Sequence, residues 1–168
     1  MRPEKGSQAG HAFGILRKDV KMGKDQAIKV LLVDDEERFR STTTATLENR
    51  GFQVTTAGDG FAAIEEVKQS EFDIVVLDVR MPGMDGYATL LEMRRLKSGL
   101  PVIMLTAYGF PVFEHKTHYG QIYHLSKPCD MEALASMIEY VFARATDSKE
   151  SEQPRVLHAR QLGRTNRQ

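Results

Sequence analysis

Carboxylates stand directly after two apolar runs of this 168-residue chain. Asp34 and Asp35 follow the run at 28–33, and Asp78 follows the run at 74–77. Short runs rich in β-branched and aliphatic residues predict buried strands. The carboxyl ends of parallel strands meet at one edge of a sheet, which is where ligands usually bind. Because three carboxylates together repel one another without a cation, this placement predicts an Mg²⁺ site.

Two other polar residues follow predicted strands. Thr106 comes after the apolar run at 101–105, and Lys127 comes after the predicted strand at 122–126. An ionised carboxylate beside a cation is a competent nucleophile toward phosphorus, and an ammonium and a hydroxyl stabilise charge on the transferring phosphoryl oxygens. The combined set therefore indicates phosphoryl transfer to a carboxylate.

The elements that must position these residues follow from the hydrophobic period. Strands are predicted at 28–33, 52–57, 73–77, 101–105 and 122–126. Helices are predicted at 36–50 with Gly51 after its end, from Gly60 with Phe61, Ile64 and Val67 on one face, at 87–97, as a short element within 108–120, and after a cap at Asp130. Five strands alternating with five helices are typical of a parallel α/β sheet covered on both faces.

Composition and charge divide the chain into one domain with two extensions. Residues 28–146 form the predicted domain, 1–27 a flexible N-terminal extension, and 147–168 a basic, disordered C-terminal tail. At 41% hydrophobic content the chain can bury one core, and a second domain has little room. The formal net charge is zero, but 28–147 carries 12 Lys and Arg against 18 Asp and Glu. An acidic domain favours cation binding over a nucleic-acid face.

The single cysteine, Cys129, excludes an intrachain disulfide and favours a reducing compartment. It lies near a predicted helix N-terminus, which favours a thiolate, although packing is the simpler interpretation. The apolar stretch at 12–16 is too short for a signal peptide, and no apolar run approaches the ~18 residues of a membrane helix. The expected location is cytoplasmic.

Four segments together resemble the signature of the receiver domains of two-component response regulators. They are Val33-Asp34-Asp35-Glu36, the loop from Leu77 to Gly86, Leu105-Thr106-Ala107 and Leu125-Ser126-Lys127-Pro128. The resemblance covers about 28–145. It implies a stand-alone, single-domain regulator with a flavodoxin-like (βα)5 fold, whose doubly wound five-stranded parallel sheet has the order 2-1-3-4-5.

The resemblance also implies a metal site. By position in the motifs, Asp35 is a direct Mg²⁺ ligand and Asp34 a ligand through water. Asp78 is the phosphoacceptor and also a metal ligand, and the backbone carbonyl of Arg80 completes the set.

The remaining roles concern the phosphoryl group and the switch. The resemblance implies that Lys127 pairs with the phosphoryl group, or with Asp78 before phosphorylation, and that a cis-like Lys127-Pro128 turn aims the lysine inward. It also implies that Thr106 bonds a phosphoryl oxygen and reports its presence as a switch residue. The family usually has Tyr or Phe three residues before this lysine as the moving switch residue, whereas this chain has His124. His124 is either a switch or a static side chain at a strand edge.

In function, the resemblance implies a phosphoaccepting signalling domain that catalyses only its own Mg²⁺-dependent phosphorylation and dephosphorylation. Its partners are a sensor histidine kinase or a phosphotransfer protein, together with an unknown downstream protein. No DNA-binding domain and no membrane contact are expected.

Other interpretations remain open at this point. Asp34 and Asp35 are also suited to a helix N-terminus, Thr106 to a strand-end hydroxyl, and Lys127 to a solvated charge. A phosphohydrolase of the haloacid-dehalogenase kind also uses Asp, Mg²⁺, Thr and Lys, but its nucleophile follows the first strand and it has a cap domain. A DNA-binding regulator using the basic tail is a third alternative, against which the missing effector domain argues.

Overall fold

The computed structural model describes residues 27–107, 114–117 and 120–151. Its strands are β1 (Lys29–Val33), β2 (Gln53–Ala57), β3 (Ile74–Asp78), β4 (Val102–Thr106), β5 (Glu114–Thr117) and β6 (Gly120–Ser126). Its helices are α1 (Glu37–Glu48), α2 (Gly60–Gln69), α3 (Gly86–Leu96) and α4 (Met131–Ser151). The N-terminal extension up to residue 26 and the tail from residue 152 lie outside the described residues.

The strands form one sheet in the order β2-β1-β3-β4-β6-β5. β2, β1, β3, β4 and β6 are all parallel. Counted among themselves, these five strands have the order 2-1-3-4-5, so the predicted flavodoxin-like fold is confirmed. Each crossover helix begins at the carboxyl edge of the sheet, which gathers the strand-end residues there.

A short helix was predicted within 108–120. This prediction is wrong for residues 114–117 and 120, the part of this segment that the structure describes. Glu114–Thr117 is instead β5, which runs antiparallel to β6 and closes a hairpin from Glu114 opposite Tyr123 to Thr117 opposite Gly120. A segment with no apolar stripe gains little from helix packing, whereas pairing with a neighbouring strand satisfies its backbone groups. The described residues therefore contain four helices and a sixth, antiparallel strand.

Two apolar layers cover the sheet, because side chains alternate between its faces along every strand. Leu47 of α1 and Leu134, Ile138 and Val141 of α4 pack on the face that carries Val30, Leu32, Val76, Leu105 and Tyr123. Ala63 and Val67 of α2 and Leu90 and Met93 of α3 pack on the face that carries Leu31, Val33, Val75, Leu77 and Met104. β3 and β4 are buried along their whole length, as central strands require.

Helix ends follow the local sequence. Asp59, Asp85 and Asp130 each accept a hydrogen bond from the backbone N–H three residues on, at 2.8, 2.8 and 2.6 Å. Gly51 has a φ of 89°, the left-handed conformation that favours glycine after a helix. The predicted cap at Asp130 is thus confirmed, whereas α1 ends at Glu48, two residues before the predicted end, and Gly51 turns the chain after it.

The prediction that Phe61 shares the apolar face of α2 is wrong. Gly60, Ala63 and Val67 are the buried residues of this helix, and Phe61 is 63% exposed. A Cβ at Gly60 would overlap Thr89 Oγ1 of α3, so this glycine lets the two helices approach closely. Because Gly60 faces α3, the next residue is turned outward.

The last helix extends beyond the predicted C-terminal boundary of the domain. α4 continues to Ser151, five residues beyond the expected boundary at 146. In the ranges that the structure describes, no helix is both long and apolar enough to span a membrane.

Candidate functional site

The first wall of the site is the turn between β1 and α1. Asp34 is completely buried, and its N–H donates to the carbonyl oxygen of Ala57 at 3.2 Å. Its Oδ1 accepts the N–H of Glu36 at 2.9 Å, and its carbonyl oxygen accepts Nη1 of Arg40 at 2.5 Å. The neighbouring Asp35 is exposed. Hydrogen bonds therefore fix one carboxylate of the pair, while the other faces solvent.

The second wall is the end of β3, where Asp78 is 6% exposed. The N–H of Val79 donates to the carbonyl oxygen of Leu105 at 2.9 Å, and the N–H of Gly86 donates to the carbonyl oxygen of Val79 at 2.9 Å. A Cβ at Gly86 would overlap the carbonyl oxygen of Asp78, and Gly83 turns the intervening loop with a φ of 78°. The start of α3 thus lies directly against the backbone of Asp78.

These two walls bring three carboxylates together. Asp34, Asp35 and Asp78 each offer one carboxylate oxygen, and these oxygens lie within 4.8 Å of one another. We call this group the acidic pocket. An all-oxygen set that combines buried and exposed carboxylates fits Mg²⁺, which prefers oxygen ligands and keeps several waters.

Lys127 closes the acidic pocket from the end of β6. Its Nζ lies 2.5 Å from Oδ2 of Asp34 and 3.1 Å from Oδ1 of Asp78, and 4.6 Å from the ring centroid of Phe39. The N–H of Lys127 donates to the carbonyl oxygen of Thr106 at 2.7 Å. The Lys127-Pro128 peptide is cis, as the resemblance implies. One ammonium group therefore bridges the two buried carboxylates.

Burial and charge shift both titrating partners. Burial raises the pKa of Asp78, and the nearby Asp34 and Asp35 carboxylates raise it further, although Lys127 opposes them. For Lys127, burial acts to lower the pKa, but the hydrogen bonds and charges of Asp34 and Asp78 outweigh it and raise the pKa. Ionisation of the Asp78 carboxyl is thus disfavoured by its surroundings, and the Lys127 ammonium is held in its charged form.

Thr106 and His124 lie on the adjoining strands β4 and β6, and we call these two residues the β4–β6 pair. Thr106 is buried at the end of β4 opposite Ser126, and the partly buried His124 lies opposite Met104. Alternation along the strands places both side chains on the face of the sheet that carries α2 and α3. Thr106 meets Lys127 through its backbone carbonyl, whereas His124 belongs to the strand beside it.

Two other predicted positions lie near the pocket. Arg80 is exposed in the loop two residues after Asp78, and the role of its backbone carbonyl as a ligand stays a prediction. Cys129 is partly buried against the α1–α4 core, and burial raises the pKa of its thiol. The raised pKa favours packing over a reactive thiolate.

Comparison with known proteins decides the family. A family model, the response regulator receiver domain, matches residues 30–139. The chain belongs to this family. It has the receiver fold, the fold of a phosphoaccepting signalling domain in two-component systems. Receiver domains generally bind Mg²⁺ through an acidic pocket and interact with histidine kinases or phosphotransfer proteins.

Similar curated proteins include regulators of different lengths. The transcriptional regulatory protein ZraR of Escherichia coli K12 is 38% identical over 132 residues, which are 77% of this chain and 29% of ZraR. The sporulation initiation phosphotransferase F of Bacillus subtilis is 30% identical over 112 residues, which are 66% of this chain and 90% of that protein. The receiver chain thus spans less than a third of ZraR but most of the phosphotransferase.

Solved receiver structures have the same fold. The chemotaxis protein CheY4 of Vibrio cholerae is 30% identical, with a TM-score of 0.61, and the match covers 69% of this chain and 99% of CheY4. The receiver domain of the hybrid histidine kinase CckA is 28% identical, with a TM-score of 0.58 and coverage of 68% and 98%.

Three residues of this receiver site were missed by the sequence analysis. Phe39 falls within the helix predicted at 36–50 and was not identified as a site residue, but its ring contacts the Lys127 ammonium. Arg40 carried no signal, since its bond to the Asp34 carbonyl depends on how α1 is oriented. Gly86 was identified only as part of the loop motif, although a glycine immediately before a predicted helix is a general signal for close backbone approach.

Proposed function

We propose that the chain accepts a phosphoryl group on Asp78 and uses the acidic pocket to catalyse this transfer and the later hydrolysis of the acyl phosphate. The observation that carries the proposal is the convergence of Asp34, Asp35 and Asp78 within 4.8 Å, with Lys127 bridging two of these carboxylates. Such a constellation suits an oxyanion nucleophile with cationic stabilisation of phosphoryl oxygens.

The metal ligands in this proposal are Asp35 directly, Asp34 through water, Asp78, and the backbone carbonyl of Arg80. A bound Mg²⁺ supplies positive charge that neutralises the carboxylates and the phosphoryl oxygens. Asp34, held by the N–H of Glu36, keeps its orientation throughout. The exposed Asp35 leaves an approach from solvent.

In the transfer step, a carboxylate oxygen of Asp78 forms a bond to the phosphorus of a phosphohistidine on the partner. The P–N bond breaks, its electron pair stays on the imidazole nitrogen, and the products are an acyl phosphate and a neutral histidine after proton exchange with solvent. Lys127 donates to a phosphoryl oxygen in place of its bond to Asp78, and Thr106 donates its hydroxyl to another.

In the dephosphorylation step, water attacks the phosphorus and the bond between phosphorus and the Asp78 oxygen breaks. Inorganic phosphate leaves, and the carboxylate is regenerated. The hydrolase alternative is less well supported, because it places the nucleophile after the first strand, where the candidate Asp34 is fully buried and paired with Lys127.

The partners in this proposal are a sensor histidine kinase or phosphotransfer protein and a downstream protein that docks on the switched surface. The chain acts as a stand-alone, single-domain regulator in the cytoplasm, with neither DNA nor membrane binding. The match to the sporulation initiation phosphotransferase F covers 90% of that protein, which supports the proposal of a single-domain regulator. His124 takes the place of the usual aromatic switch residue and acts together with Thr106.

The direct test is chemical. Incubation with acetyl phosphate and Mg²⁺ is expected to add one phosphoryl group that hydroxylamine removes, as followed by intact mass spectrometry. Asp78→Asn should remain unmodified. Asp85→Asn is the matched control, because Asp85 caps α3 in the same loop and asparagine also caps helices. Equal labelling of Asp78→Asn and wild type would overturn the proposal.

The proposed domain organisation has its own test. The receiver domain is proposed to comprise 28–146, between an N-terminal extension at 1–27 and a basic tail from 147 whose first residues continue α4. Removing residues 152–168 should leave the rate of phosphorylation unchanged. Loss of phosphorylation on truncation, or tight sequence-specific DNA binding at physiological salt, would contradict the proposal.

A further inference from the structure

We propose that Phe39 is a positioning residue for Lys127 and that its ring face holds the ammonium where it stabilises the phosphoryl group on Asp78. This inference rests on the proposed function of Asp78. It assigns a role in phosphoryl transfer to a side chain that lies against the Lys127 ammonium and is not one of the proposed metal ligands.

The geometry places the ring within cation–π distance of the ammonium. Phe39 is the third residue of α1, and Lys127 Nζ lies 4.6 Å from its ring centroid. The same Nζ lies 2.5 Å from Asp34 and 3.1 Å from Asp78. The ammonium is therefore in contact with two carboxylates and an aromatic ring, which are carried by the β1–α1 turn, β3 and α1.

An aromatic ring and a third carboxylate would act differently at this place. The ring attracts the cation electrostatically, but it offers no lone pair that holds one N–H in a fixed direction. A lysine ammonium has three N–H donors, so those aimed at Asp34 and Asp78 remain available. The ring thus restricts the position of the charge without occupying its donors.

This difference bears on the transfer step. When Asp78 receives the phosphoryl group, the ammonium must exchange a carboxylate oxygen for a phosphoryl oxygen. On a ring face that motion breaks no hydrogen bond to Phe39. α1, which carries the ring, begins directly after the turn that carries Asp34 and Asp35.

Simple core packing is the competing explanation. Phe39 is partly buried and also packs against the α1–α4 core, as Phe142 of α4 does. A purely structural role predicts that the two phenylalanines respond alike to the same substitution. A positioning role predicts that only Phe39 affects the chemistry, and that another aromatic ring can replace it.

The first experiment uses the full chain and a small phosphodonor, so that kinase docking does not contribute. With acetyl phosphate and Mg²⁺, Phe39→Leu should lower the phosphorylation rate about 2- to 5-fold. Phe39→Tyr, which keeps an aromatic ring, should retain the wild-type rate, and Phe142→Leu should also retain it. Equal rates for Phe39→Leu and Phe142→Leu, or a failure of Phe39→Tyr to retain the rate, would overturn the inference.

A double-mutant cycle isolates the contact with Lys127. In a Lys127→Ala background, Phe39→Leu should produce no further loss of rate, because the cation that the ring positions is gone. An undiminished loss in that background means that the ring acts through something else and rejects the inference.

Proton NMR supplies a readout that does not depend on phosphorylation. The Cε protons of Lys127 should show an upfield ring-current shift that disappears in Phe39→Leu and persists in Phe142→Leu. If wild type is not phosphorylated at Asp78, the proposed function fails and this inference with it. If wild type is phosphorylated but the shift is absent, this inference alone fails.

Discussion

The acidic pocket lies at the carboxyl edge of the sheet, whereas the β4–β6 pair extends from Thr106 at that edge to His124 within β6, and the two groups are held in different ways. In the pocket, side chains from separate strand ends converge, and Lys127 bonds both Asp34 and Asp78 directly. In the β4–β6 pair, Thr106 meets Lys127 through its backbone carbonyl, and His124 is a partly buried residue of the neighbouring strand.

In the proposed function, the acidic pocket performs the chemistry and the β4–β6 pair transmits the signal, and these two tasks place separate demands on the fold. The pocket depends on charges that must be a few ångström apart, so few arrangements satisfy it. The proposed switch role of the β4–β6 pair needs only a side chain that changes position with its neighbour. The surroundings of the pair also differ from the expected pattern, since a hairpin strand stands in the segment where a helix was predicted.

The largest effect should come from removing the charge that joins the carboxylates. Lys127→Ala leaves a buried carboxylate at Asp34 without its cation, which is expected to cost about 3 kcal/mol of unfolding free energy without Mg²⁺. Urea denaturation measures this loss. Lys97→Ala is the control, because Lys97 pairs with the exposed Glu71 and its loss should change the unfolding free energy little. Similar losses of unfolding free energy in the two variants would show that the buried ion pairs of Lys127 stabilise the protein no more than an exposed ion pair does.

Metal binding should produce the next largest effect. At a free Mg²⁺ concentration of 100 Kd, mass action adds about 2.7 kcal/mol to the stability of a protein that binds only when folded. Asp35→Ala should lose most of this response in a thermal scan, with little folding cost because Asp35 is exposed. Asp59→Ala, an exposed helix cap outside the pocket, should keep it. A full Mg²⁺ response in Asp35→Ala excludes that residue as a ligand.

A smaller effect should appear in the pH dependence of the metal-free protein. Burial raises the pKa of Asp78 in the folded state, so the folded state holds this proton more tightly than the unfolded chain does. Asp78 therefore adds stability as the pH falls through its folded pKa, and its charge lowers stability above that pKa. Asp78→Asn should be about 1 kcal/mol more stable than wild type at neutral pH.

This advantage should shrink as the pH falls below the folded pKa of Asp78, where the wild-type carboxyl is already neutral. Paired urea titrations of wild type and Asp78→Asn over the acidic range measure the difference. An advantage that grows on acidification would reverse the sign of the shift.

The smallest effect on chemistry is expected in the β4–β6 pair. His124→Ala should change the phosphorylation rate less than about 2-fold, because the residue lies outside the pocket. The same variant should reduce the amide shift changes along β6 that a phosphoryl mimic produces in NMR spectra. Thr55→Ala on the opposite edge strand serves as the control for both measurements. A large loss of rate in His124→Ala would place this residue within the chemistry.

The pocket was largely predictable because each of its charges follows an apolar run. The runs before Asp34, Asp78 and Lys127 identify strands from local sequence, and parallel topology then brings their ends together. The positions of Phe39 and Arg40 relative to these charges were not predictable, because they depend on the rotation of α1 about its axis.

Two features away from the pocket could not be predicted from the local sequence pattern. The exposure of Phe61 depends on Gly60, which faces Thr89 across a helix contact that no period within α2 reveals. The segment that forms β5 has no apolar stripe, and its structure depends on pairing with β6. In both cases the partner, more than the segment itself, decides the outcome.

The close approach of α3 to Asp78 has a consequence for genetics. Gly86 leaves no space for a side chain against the carbonyl oxygen of Asp78, so any residue with a Cβ must displace that backbone or the helix. In a saturation library scored by signalling, Gly86 is therefore expected to be as intolerant as Asp78 itself. Loss-of-function alleles at Gly86 would resemble active-site lesions, although the glycine has no chemistry of its own.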